Sequence, residues 1–162
     1  MRQAREAYTP YNAREAYILT CQTQPHPALC LSSSQVSLHC DLDARTHIAL
    51  GEALAPLRDE GYLILCSGGV THNLLELSFG SERVPAWASS YDNWVQDILM
   101  HEEHKSKHES YEDAWNSRNR RLAAWMDDSE GVQAAAVIAH PTPENYMALL
   151  VAAGETLEGR WH

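Results

Sequence analysis

Apolar and polar positions from Gln35 onward alternate in runs whose periods predict discrete elements. "QVSLH" (35–39) has the two-residue alternation of a short strand, and Asp41 and Asp43 follow it as N-cap candidates. A helix is expected over about 43–60, with Leu50, Leu54 and Leu57 at i, i+4 and i+7 and Gly61 as its stop. Pro56 inside that pattern should kink the helix or leave the carbonyl of Glu52 unpaired. "YLILC" (62–66) is apolar at every position, the mark of a strand buried on both faces. Strand, helix, strand within this span predicts a βαβ unit with parallel strands and a right-handed crossover.

Further along, "VPAWASSYDNWVQDILMHEEHKSKH" (84–108) predicts a helix with Trp87, Tyr91, Trp94, Val95 and Ile98 on its apolar stripe. A second helix is expected over 109–128, where Trp115, Leu122 and Trp125 recur at helical spacing. "VQAAAVIAH" (132–140) fits either helix or strand. "PTPENYMALLVAAG" (141–154) opens on two prolines and an acid and closes on Gly154, the punctuation of a helix. Residues 1–34 differ: "AREAY" occurs at 4–8 and again at 13–17, and "CQTQPHPALCLSSS" (21–34) has loop composition. A helix over roughly 3–17 is compatible with the first part. The expected division is therefore an atypical segment 1–34, loop or poorly ordered, and an α/β domain over 35–162.

Composition narrows the class. With 162 residues, 44% of them apolar and 21% charged, the chain has the make-up of one globular domain. Its net charge of −10 repels phosphate backbones, and "SRNRR" (117–121) is the one basic cluster, so no nucleic-acid partner is expected. No apolar run is long enough for a membrane span, and the opening residues lack a secretory signal's apolar core. Cys21, Cys30, Cys40 and Cys66 form no CxxC pair, so reduced thiols and a cytoplasmic location are expected.

Histidine carries the candidate chemistry. His72 follows "YLILC" and Ser67-Gly68-Gly69, at the strand end where open α/β folds place ligands. It suits a metal ligand or an acid/base group, or equally a loop histidine satisfied by a carbonyl. His101, His104 and His108 share one helix face, but their Glu, Lys and Ser neighbours indicate a solvated surface. His140 precedes the proline-opened helix and either faces a pocket or holds a turn. No GxSxG, P-loop or GxGxxG motif is present.

The run "QVSLHCDLDARTHIALGEALAPLRDEGYLILCSGGVTHNLLEL" (35–77) resembles the C-terminal half of class III extradiol ring-cleavage dioxygenases of the DOPA 4,5-dioxygenase type. The agreement resumes in "WASSYDNWV" (87–95), "AHPTPENY" (139–146) and "ALLVAAG" (148–154). The resemblance implies a three-layer α/β/α domain around a central mixed sheet, here truncated. It also implies cleavage of a catechol-like or DOPA-like diol with O2 at a non-haem Fe2+, with Zn2+ possible in the same site. It makes His72 a metal ligand, with Ser67 and Asn73 beside it; His140, from its place before the proline-opened helix, is the pocket-lining catalytic candidate. The family's Gly-His-Gly, Ser-Ala-His-Trp and Phe-Asp-His-Gly segments have no counterpart, and Asn145 stands where the family has histidine. The alternative is an inactive remnant or an incomplete gene model lacking most metal ligands.

Overall fold

The computed structural model describes residues 17–22, 33–78, 83–100, 111–127 and 130–155. Three strands, β1 (Tyr17–Gln22), β2 (Ser33–Ser37) and β3 (Tyr62–Cys66), form a sheet in the order β2-β1-β3. Both neighbouring pairs are antiparallel, with Leu19 opposite Gln35 on one side and Leu65 on the other. β2 and β3 thus run the same way, as a crossover requires, but β1 lies between them. This corrects two expectations. Residues 17–22 and 33–34 of the segment read as loop or poorly ordered form the middle strand and the start of β2, and among the described residues both adjacent pairs are antiparallel, not mixed. The helix expected over 3–17 lies outside the described residues, apart from Tyr17.

Strand β3 alternates despite its uniformly apolar sequence. Ile64 is buried toward the helices, whereas Leu63 and Leu65 on the opposite face are 56% and 50% exposed. Among the described residues the sheet therefore has one covered face, not the two of a three-layer plan. An antiparallel sheet tolerates this, where a parallel one is normally covered on both sides.

Helix α1 (Ala44–Leu54) begins where expected. The Asp43 carboxylate accepts from the Thr46 backbone N–H at 2.8 Å and its hydroxyl at 2.9 Å. Pro56 divides the expected long helix in two, with α2 (Pro56–Asp59) following a break at Ala55. The Ala55 N–H, at 3.0 Å from Gly51 O and 3.3 Å from Glu52 O, covers the carbonyl that proline cannot serve. Gly61 ends the segment at φ +85°, a conformation that favours glycine. The buried face of α1 is His47, Ile48 and Gly51, while Leu50, Leu54 and Leu57 are only partly buried against the core.

That rotation follows from the partner of α1. Helix α6 (Glu144–Glu155) buries Tyr146, Met147, Ala148, Leu150, Val151, Ala153 and Gly154. Gly51 and Gly154 meet backbone to backbone: a Cβ on Gly154 would strike Ile48 O, and one on Gly51 would strike Val151 O and lie 2.8 Å from Glu155 N. Gly154, expected to end the helix, lies inside it and serves this close approach.

Helix α3 (Ala86–Met100) buries the expected Tyr91, Trp94, Val95 and Ile98. Helix α4 (Tyr111–Ala123) and the turn after it contribute Leu122 and Trp125 to the core, and α5 (Gln133–Ala139) settles the ambiguous segment as helix. Two arginines of "SRNRR" have internal partners. Arg118 is buried and donates to Ala153 O at 2.7 Å, and Arg121 pairs with Asp97 at 3.0 Å and Glu130 at 2.8 Å. Glu130 also accepts from Trp94 Nε1 at 2.8 Å, so α3, α4 and the turn before α5 share one brace. No helix among the described residues is long and apolar enough to cross a membrane.

A methyl group has no room at the α1–α6 contact. Gly51→Ala is expected to cost about 2–3 kcal/mol, the scale of an overpacked core. Urea titration against the unaltered protein checks this. An unchanged midpoint for Gly51→Ala would mean that the helices separate freely.

Candidate functional site

The site is built where β3 runs out. After Cys66 the chain turns through Ser67, Gly68 and Gly69, and Gly68 lies so close to the first turn of α6 that a Cβ would strike Asn145 O. The loop then passes over the C-terminal end of α5, whose last carbonyls have no partner within their own helix. Two of them are taken by this loop. The His72 N–H donates to Ala139 O at 2.8 Å, and Asn73 Nδ2 donates to Ile138 O at 2.7 Å. Asn73 Oδ1 accepts from the Leu75 N–H at 3.0 Å, closing a local Asx turn.

His140 completes the attachment from below. Its Nε2 lies 2.7 Å from Val70 O, and a carbonyl can only accept, so Nε2 carries the proton. The ring is 4% exposed and sits among Tyr91, Trp125 and Tyr146 at centroid separations of 5.5, 5.7 and 5.5 Å. Its Nδ1 has no hydrogen-bond partner among the described residues. Burial holds the imidazole's pKa below its ordinary 6.5, against the upward pull of the Val70 carbonyl, and nearby His72 adds to the lowering.

The structure therefore brings both sequence-predicted histidines to one place but in different postures. His72 is exposed on the loop, whereas His140 is buried beneath it with one nitrogen spent on Val70. Asn145 borders the same loop through its backbone. His101, His104 and His108 lie outside the described residues, as does His26. His39 and His47 are engaged elsewhere: His47 takes the His39 N–H at 3.2 Å and donates to Asp43 O at 2.6 Å, while His39 pairs with Asp41 at 2.8 Å.

Cys66 borders the loop, and burial pushes its thiol up to about 12, with Glu155 adding to the rise, which disfavours the thiolate. A cavity of about 430 Å³ opens between α1 and α4, lined by Arg45, Glu52, Trp115, Asn119, Arg120 and Asp127, and includes neither His72 nor His140. Among the described residues His72 lies exposed on the loop surface. Among the described residues no three His, Cys, Asp or Glu side chains converge as a metal-binding group. Sequence reasoning missed the carbonyls of Val70, Ile138 and Ala139. No side-chain pattern announces them, though the unfilled end of a short helix next to a Gly-Gly loop is a usable signal.

Residues 20–126 match the family described as the catalytic LigB subunit of aromatic ring-opening dioxygenase. The chain is similar to 4,5-DOPA dioxygenase extradiol of Portulaca grandiflora, 33% identical over 120 residues, covering 74% of this chain and 38% of the relative. The corresponding protein of Beta vulgaris is 33% identical over 129 residues, covering 80% and 41%. That of Escherichia coli (strain K12) is 28% identical over 130 residues, covering 80% and 42%. A crystal structure of an uncharacterized protein from Escherichia coli K12 superposes with a TM-score of 0.51 at 29% identity, covering 69% of this chain and 39% of that one. The chain thus spans about two fifths of the length of these proteins.

The depressed His140 pKa has a defined consequence for stability. The unfolded chain takes up a proton near pH 6.5, while the folded chain resists doing so until lower pH. The contribution is fully present above about pH 6.5 and is lost as pH falls through the folded value. Urea midpoints measured at about pH 7.5 and 5.5 should therefore fall less for His140→Phe than for the unaltered protein. Equal falls would show that His140 is not the group responsible.

Proposed function

Because this chain belongs to the family of catalytic LigB subunits of aromatic ring-opening dioxygenases, we propose that it forms part of an extradiol dioxygenase site. The substrate class is a catechol-type or DOPA-like diol, opened with O2, with Fe2+ as the metal and Zn2+ as an alternative occupant. His72 is the ligand this chain contributes, and Asn145 and the Gly68 turn border the site. The observation that carries the reading is the exposed His72 ring on a strand-end loop whose backbone is held at Ala139 and Ile138. The family's three-layer plan would set its further layer on Leu63 and Leu65.

The described residues do not by themselves fit a resident divalent metal. At the strand-end loop they offer one exposed imidazole, His72, whereas N/O sites for first-row metals rely on several preorganised ligands. This favours a second reading, in which the chain as it stands contributes a partial ligand set and does not turn over.

One experiment separates the two. Zn2+ titration followed on histidine ring resonances should shift His72 first, and His72→Ala should remove that response. Anaerobic Fe2+ loading followed by L-DOPA and O2 then reads ring opening by absorbance. A His72-dependent product supports the enzyme, and a metal response without product supports the partial site. No response at His72 overturns both.

A further inference from the structure

We infer that His140 is a positioning residue that fixes the backbone from which His72 projects. The inference rests on the reading of His72 as a ligand. Consecutive residues Ala139 and His140 grip alternate residues of the loop: Ala139 O takes the His72 N–H at 2.8 Å, and His140 Nε2 donates to Val70 O at 2.7 Å. The stretch between these anchors is short and has little packing of its own, since Val70, Thr71 and His72 are all exposed. Its course is therefore set by hydrogen bonds rather than by a core.

The donor is itself held from several sides. Tyr91 and Trp125 meet the His140 ring edge-on, with interplanar angles of 71° and 87°, and Tyr146 is tilted against it at 53°. The Tyr146 hydroxyl is anchored in turn by Leu122 O at 2.9 Å. A ring so confined cannot swing to offer Nδ1 to the loop, so Nε2–H is the tautomer that serves Val70. A side chain whose backbone is already fixed loses less freedom when it takes up a ligand. This gives His140 an influence on His72 without contact between the rings.

The test uses the full chain and Zn2+ as the probe. In the unaltered protein, long-range 1H–15N correlation of the imidazoles should show His140 as the Nε2–H tautomer at neutral pH, and the Nδ1–H form would overturn the inference. In His140→Phe, which fills the aromatic box without a donor, exchange of the His72 amide should quicken on the order of tenfold or more. Zn2+ binding read at the His72 ring should weaken on the order of tenfold. His140→Gln, which keeps a donor, should recover part of both effects. Unchanged amide exchange in His140→Phe overturns the clamp, and faster exchange with unchanged Zn2+ binding overturns the positioning role. If the unaltered protein shows no Zn2+ response at His72, it is the ligand reading that fails, and the tautomer and amide exchange still decide the clamp.

Discussion

The contact of α1 with α6 at Gly51 and Gly154 is the constraint on which the rest of the molecule depends. Two helices that touch through backbone atoms cannot slide or rotate without a clash, so α6 has a defined axial position and roll. From that position α6 reaches outward in several directions. Arg118 of α4 binds its Ala153 carbonyl, its Tyr146 hydroxyl binds Leu122 O, and the carbonyl of Asn145 near its start faces Gly68 at the end of β3. The place where the sheet ends and the loop begins is thus referred, through one helix, to a glycine seam at the helix's other end.

The loop itself is held by a different economy. α5 has seven residues, and its closing carbonyls point toward the strand-end loop instead of solvent. The His72 amide and the Asn73 side chain satisfy them, and His140 returns a donor to the loop. Each partner supplies what the other lacks. A helix terminus that would otherwise carry unpaired groups and a loop with little packing of its own stabilise one another.

Much of this architecture is written locally in the sequence. Asp43 as a cap, Pro56 as a breaker, Gly61 as a stop and the Tyr91–Ile98 stripe all act within a few residues of themselves, and they appear where expected. What depends on distant partners was not legible. β1 lies in a stretch adjoining proline, glutamine and serine, and it becomes a strand because β2 and β3 flank it. Gly154 has the spacing of a helix stop, and only the nearness of Ile48 reveals its use. The placement of His72 followed from Gly68-Gly69 and the strand before it. The posture of His140 did not, since its partner Val70 is 70 positions away along the chain.

The face of β3 that no described residue covers has a consequence for how the protein behaves in bulk. β3 forms one edge of the described sheet, has neither charge nor proline, and turns Leu63 and Leu65 outward. Such an edge lacks the usual guards against strand addition by a neighbour. Loss of native material through that edge requires an encounter between two molecules, so it grows with the square of concentration. A dilute sample and a concentrated one then age on different clocks, although their folding equilibria are identical.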